Sequence, residues 1–266
     1  MDLQLAGKRA IVTGGSRGIG LAIARELARE GVHVALAARD IEALERAAKA
    51  ISDEFGVSAI GVPVDTNDDE SVASMVATAA EAFDGIDILV NAAAQPGGQA
   101  APARLGEITG ERFWDDVNVK VLGYLRTARE VAPYMTANGW GRIINISGLA
   151  ARQTGSTIGS IRNVAVAALT KNLADELGPH GINVTVVHPG MTRTEKTAPL
   201  VKARAEQFGL SEDEIEQKLG SNISIGRIVD AQEVAWVVAF LASPRSVSIT
   251  GDAIATGGGA KGAIHY

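Results

Sequence analysis

No cysteine occurs among the 266 residues, so disulfides and thiolate chemistry are excluded, and four histidines leave a zinc site few ligands to draw on. Positive charge is not in excess. The formal net charge of −6 argues against a phosphate backbone or an anionic membrane as the main partner and leaves small molecules and other protein chains. No apolar run approaches the roughly 20 residues that span a bilayer. The start, MDLQLAGKRAIVTGG, lacks the basic region, apolar run and small-residue cleavage site of a signal peptide. A cytoplasmic protein without membrane or nucleic-acid partners is expected.

Hydrophobic residues make up 46% of the chain and charged residues 21%, enough to bury one large core, which favours a single α/β domain over two small ones. Short β-branched runs recur along it: RAIVTGG, VHVALAAR, SAIGVPVD, DILVNAAA, RIINISG, INVTVVHPG and DAIATGG. Each reads as a buried strand. Segments with apolar residues at helical spacing lie between them, as in GLAIARELAREG and IEALERAAKAISDEFG. This alternation predicts a doubly wound parallel sheet with helices on both faces. No repeat or linker marks a second domain. Two stretches break the pattern: residues 94–110, rich in Gly and Pro, and residues 191–226, which read as one or two mobile helices. Both are placed beyond the strand ends, where ligands bind in open sheets, and the second is the candidate substrate lid.

IVTGGSRGIGLAIA sets a strand, a glycine-rich turn and a helix in succession. Gly14 permits the tight turn, Gly18 lets a pyrophosphate approach the backbone, and Gly20 allows close helix packing, while the helix N-terminus supplies unpaired N–H groups. Ser16, Arg17 and Ile19 complete the loop and are candidate nucleotide contacts.

From TGGSRGIG onward the chain resembles the short-chain dehydrogenase/reductase family. The resemblance runs through Asp65 in PVDTND, LVNAAA, Asn118 in DVNVKVLG, Ser147 in INISG, HPGMTRT and EVAWVVAFLAS with SITGD, and so covers nearly the whole chain. It implies a single seven-stranded Rossmann-like domain over residues 1–266, a nicotinamide cofactor, hydride transfer at a carbonyl or alcohol carbon of a small-molecule substrate, and a homodimer or homotetramer. Asp65 would meet the adenine, Asn91, placed among the nucleotide-binding residues, would steady the central strand near the adenosine ribose, and Pro189, Gly190 and Thr194 would hold the nicotinamide carboxamide. Ala94 stands where the family usually has glycine.

The choice of nucleotide is a charge question. Asp40 has the spacing of an acid that accepts the ribose 2′-hydroxyl of NAD, yet it opens a helix and has a sufficient role as its N-cap. Arg39 beside it, with Arg17, suits a 2′-phosphate. NADP is therefore expected over NAD.

In the family a tyrosine hydroxyl protonates the carbonyl oxygen, and a lysine one helical turn later lowers the phenol's pKa and holds the nicotinamide ribose. Registering GSTIGSIRNVAVAALTKNLADELG (155–178) on that helix puts Gly159 at the tyrosine position and Asn163 at the lysine position. Neighbouring registers offer Ile158 or Ser160. Tyr124 and Tyr134 are assigned to helix packing or a subunit face, and Tyr266 is the last residue. Ser147 can bond a substrate oxygen, Asn118 can hold a water, and Asn163 can bond ribose hydroxyls as an uncharged substitute for lysine. His188, Arg162 and Arg152 are the candidate replacement acids. Two readings stay open: an oxidoreductase with a non-standard proton donor, or a dinucleotide-binding protein that has abandoned hydride chemistry.

Overall fold

A computed structural model describes residues 1–94 and 103–262. Seven strands form the main sheet: β1 (Arg9–Thr13), β2 (His33–Ala38), β3 (Ala59–Pro63), β4 (Ile88–Asn91), β5 (Gly141–Ile146), β6 (Ile182–Pro189) and, near the end of the chain, β9 (Ala253–Thr256). Their order is β3-β2-β1-β4-β5-β6-β9, with every neighbouring pair parallel. Two further two-residue strands, β7 (Thr192–Arg193) and β8 (Val229–Asp230), pair with each other apart from it. The fold is a single Rossmann-like α/β domain, as the alternation of runs predicts.

The strands read as continuous apolar runs because the sheet is covered on both faces. Alternate residues divide between two cores: Ala10 and Val12 of β1 pack with α1 (Gly18–Arg29), α2 (Ile41–Phe55) and α9 (Ala231–Ala242). Ile11, between them, packs on the other side with α3 (Asp69–Phe83), α5 (Gly123–Asn138) and α6 (Thr157–Leu177). Helix starts are fixed by side-chain caps. Asp40 accepts from the Ala43 N–H, Asp68 from Glu70 and Ser71, and Ser156 from Gly159, which satisfies N–H groups that the helix itself leaves unpaired.

α4 (Gly110–Val117) runs into α5 through one π turn, Asn118–Leu122, closed by the Gly123 N–H on the Asn118 carbonyl. Residues 191–226 fold into α7 (Thr197–Phe208) and α8 (Glu212–Gly220), held together by Val201, Ala205 and Ile215. Residues 95–102 of the Gly- and Pro-rich stretch 94–110 lie outside the described residues. Among the described residues no helix is long and apolar enough to cross a membrane.

Candidate active site

Between β1 and β4 the strand order reverses direction, and this is where an open parallel sheet leaves a crevice. A cavity of about 1060 Å³ lies there, bounded by the glycine turn, the residues after β4 and the end of β5. It exceeds the roughly 300–1,000 Å³ of an ordinary small-molecule pocket, so it has room for a dinucleotide-sized ligand with a second molecule beside it.

At the turn, Gly14 has φ +68°, and a Cβ there would stand 2.8 Å from the Ala92 carbonyl oxygen. Only glycine fits both constraints. The same crossing is tied by Thr13, whose Oγ1 accepts from the N–H groups of Ala92 and Ala93 at 3.1 and 3.2 Å. Ser16, Gly18, Ile19 and Gly20 also border the cavity. The Gly18 N–H donates to Oε2 of Glu195 at 3.2 Å, so an anionic oxygen already sits against the N-terminus of α1, as the exposed N–H groups and helix dipole favour.

Arg17 and Arg39 are exposed on the cavity wall and make no ion pair among the described residues. Asp40 is occupied by its cap. Asp65 borders the same end, its Oδ1 accepting from the Asn67 N–H at 3.0 Å. Asn91 lies elsewhere: it is fully buried, gives Nδ2 to Asn145 Oδ1 at 3.0 Å and accepts from Thr127 Oγ1 at 2.7 Å. This spends its amide inside the protein, linking β4, β5 and α5 as a residue that steadies the central strand does, and because Asn91 does not border the cavity its place among the nucleotide-binding residues is corrected.

At the opposite end, Ser147 follows β5 and donates Oγ to the Asn163 carbonyl at 3.1 Å. Asn163 and Gly159, both buried on α6, border the cavity with it. The Oδ1 of Asn163 has no hydrogen-bond partner. Pro189, Gly190 and Thr194 close the floor, and Met191, Glu195, Leu219 and Ile223 from 191–226 form one wall. Asn118 does not join this group. Its Oδ1 accepts from Arg126 at 2.9 Å, and Lys120, two residues on, borders the cavity instead.

The sequence profile described as enoyl-(acyl carrier protein) reductase matches residues 14–261. A short-chain reductase, NovJ of Streptomyces niveus, is 38% identical over 252 residues, covering 94% of this chain and 92% of its own. Among solved structures, the L-sorbose reductase of Gluconobacter frateurii, in complex with NADPH and L-sorbose, superposes with a TM-score of 0.92 at 31% identity, covering 99% of this chain and all of that one. An actinorhodin polyketide ketoreductase variant with NADPH gives a TM-score of 0.85 at 32% identity, covering 94% and 96%.

The chain belongs to the short-chain dehydrogenase/reductase family. It is an oxidoreductase, and the ionisable groups of this short-chain dehydrogenase/reductase at the reacting end differ from those the sequence suggests. His188 is 1% exposed, and burial, with Arg152 and Lys120 nearby, pushes its pKa down to about 4. It is neutral at neutral pH and does not border the cavity. Arg152 donates to the Ala253 carbonyl at 3.1 Å, and Arg162 pairs with Asp116. The Tyr124 hydroxyl donates to the Ile146 carbonyl at 2.9 Å, and burial raises its pKa. Tyr134 lies on a separate surface hollow beside Glu81 and Asp84, and Tyr266 lies outside the described residues.

Lys120 is the residue that sequence reasoning missed. It is 4% exposed, donates Nζ to the Ser147 carbonyl at 2.9 Å, and makes no other hydrogen bond among the described residues. Burial first and Arg162 second bring its pKa down to about 7, against an opposing pull from Asp116. The signal in the sequence is a cation inside the apolar run VNVKVLGY, where a buried lysine requires a reason.

Proposed function

We propose that this protein is an NADPH-dependent reductase of a small carbonyl compound that works without the family's tyrosine–lysine pair, with Gly159 and Asn163 at those two positions. The observation that carries the reading is the single cavity that joins Arg17 and Arg39 at one end to Ser147 at the other across the N-terminus of α1. The residues present fit a phosphorylated nicotinamide dinucleotide. A carboxylate oxygen on the Gly18 N–H stands where a phosphate oxygen would be accepted, two guanidinium groups have no ion-pair partner among the described residues, and the buried Asn163 Oδ1 lacks a donor that a ribose hydroxyl supplies.

Arg17 and Arg39 hold the 2′-phosphate by charge-assisted hydrogen bonds, which favours NADPH over NADH. Gly14, Ser16, Gly18, Ile19 and Gly20 seat the pyrophosphate, Asp65 faces the adenine, and Pro189, Gly190 and Thr194 orient the carboxamide. When bound, the nucleotide supplies the hydride. Ser147 holds the substrate oxygen once its hydroxyl turns from the Asn163 carbonyl, and residues 191–226 act as a lid that excludes water. The relatives whose structures hold NADPH, one of them also with L-sorbose, support the nucleotide and a polar carbonyl substrate.

A second reading, nucleotide binding without redox catalysis, is favoured by the absence of a tyrosine from the cavity among the described residues. One experiment separates the two. Purified protein is titrated with NADPH and NADH by fluorescence, then scanned for NADPH oxidation over ketoses and β-ketoacyl thioesters. Turnover that falls in Ser147→Ala supports the reductase. Tight binding with no turnover, and activity gained by Gly159→Tyr with Asn163→Lys, supports the second reading. A Cβ at position 159 would lie 2.7 Å from Ser156 Oγ, so that variant needs the Ser156 side chain to rotate.

A further inference from the structure

Among the described residues the proposed reductase shows no conventional acid at its reacting end. The cavity at its reacting end is bordered by Ser147, Asn163, Gly159, Lys120 and the Asp116–Arg162 pair. A serine hydroxyl is a weak acid, and Arg162 and Asp116 are held to each other in an ion pair. His188, a residue of β6, and Tyr124, which donates to the Ile146 carbonyl, do not border the cavity, and Glu195, which does, accepts from the Gly18 N–H at its other end.

We propose that Lys120 is the catalytic acid of this enzyme, delivering its Nζ proton to the substrate oxygen held by Ser147; this rests on the reductase reading given above. The placement comes from the π turn. It carries Lys120 inward from the α4–α5 junction onto the carbonyl of Ser147 itself, so the proton source and the substrate-holding hydroxyl belong to adjacent parts of one wall. An ammonium has three donors, and one is committed to Ser147. Arg162 is to Lys120 what the family's lysine is to its tyrosine: a neighbouring cation that eases release of the proton.

The step balances. As the carbonyl carbon receives a hydride from the reduced nicotinamide, the C=O π pair becomes the O–H bond to a proton from Lys120, which is left as a neutral amine and regains its proton from water. Reduction therefore needs the ammonium and slows as pH rises through its midpoint, whereas oxidation of the alcohol needs the free amine and quickens. Because the midpoint lies near 7, both forms are populated under ordinary conditions, as an acid–base catalyst requires.

The test uses the full chain. Lysine-labelled apoprotein is titrated by NMR, and the Lys120 resonance is identified by its loss in Lys120→Met. A midpoint near 7 is expected; one in the ordinary lysine range near about 10.4 overturns the proposal. In steady-state reduction, Lys120→Met is expected to lose about 10²–10⁴-fold in turnover, to lose the alkaline fall in rate, to bind NADPH as the parent does, and to recover activity with added ethylamine. A structural lysine would show no amine rescue. If Lys120→Met does not fold, Lys120→Arg replaces it, since a guanidinium can keep the bond to Ser147 but cannot release a proton, and the same loss is expected. Full activity with an unchanged pH profile in either variant refutes Lys120 while the reductase reading stands. A parent protein that oxidises NADPH with no carbonyl on the panel defeats the reductase reading and this proposal with it.

Discussion

Replacing Asn91 by alanine should cost stability and leave nucleotide binding unchanged. Its side chain joins three elements: Nδ2 donates to Asn145 Oδ1 at 3.0 Å, and Oδ1 accepts from Thr127 Oγ1 at 2.7 Å. Asn145 in turn donates to Thr170 on α6 at 3.0 Å. All four residues are fully buried. Truncation at 91 strands the Asn145 Oδ1, a buried acceptor whose desolvation costs about 1–3 kcal/mol. Thr127 loses less, because its hydroxyl can turn to the Gly123 or Tyr124 carbonyl, at 3.1 and 3.0 Å. Adding the lost packing of the amide brings the total to about 2–4 kcal/mol. In a chain of this size each kcal/mol moves the midpoint by about 2–4 °C, so calorimetry should show a fall of roughly 4–16 °C. NADPH titration of the same variant should give the parent Kd. A melting point within about a degree of the parent, together with weakened NADPH binding, would refute this reasoning and return Asn91 to the nucleotide.

Two more perturbations test a charge on the cavity wall and a buried histidine. Arg39→Ala should raise the Kd for NADPH by about tenfold and leave that for NADH nearly unchanged; a charge-assisted bond is worth about 1.5–3 kcal/mol, and an exposed arginine falls at the lower end. Equal losses for both nucleotides, measured by fluorescence titration, would mean that Arg39 does not read the 2′-phosphate. His188 should make stability depend on acid. Its pKa falls from 6.5 to about 4 on folding, so the unfolded chain takes up a proton first as pH drops. Stability from this group is flat above 6.5, declines between 6.5 and 4, and levels below. The full decline is about 3 kcal/mol, and urea titrations of His188→Leu should lack it.

The sheet was legible because its information is local and redundant. A run such as INVTVVHP can be buried on both sides only as a central strand, and seven such runs in alternation with helical segments leave few architectures open. The glycine turn was legible for the same reason, since a left-handed φ at Gly14 and a backbone contact 2.8 Å away leave their mark as a residue type. β7 and β8 were not legible: two residues each carry no periodicity, and they exist through a pairing 37 positions apart in the chain, from Thr192 to Val229. Asn91 looked functional because an asparagine at a strand end beside a nucleotide site and one that ties three elements together are the same letter. Only its partners distinguish them.

The site residue that escaped the sequence did so because helical periodicity assumes an unbroken helix. Counting at about 100° per residue sets Asn118 and Lys120 on nearly opposite faces, and the apolar pattern around them favours asparagine as the inward residue over a lysine. The π turn changes the count. Its i→i+5 bond from Gly123 to Asn118 places one extra residue in the turn and re-aims the side chains beyond it, as such bulges do at functional sites. Gly123 helps impose it: a Cβ there would lie 3.0 Å from that of Thr66, so the helix comes close against the β3–α3 connection only where the side chain is absent. Asn118 is thereby released to Arg126, and Lys120 enters the cavity at the level of Ser147. By resemblance Asn163 stands where the family has a lysine, while the structure sets Lys120 on the same cavity as Ser147; a cation therefore borders that end of the cavity, so an asparagine at 163 is not by itself evidence that the chemistry has gone.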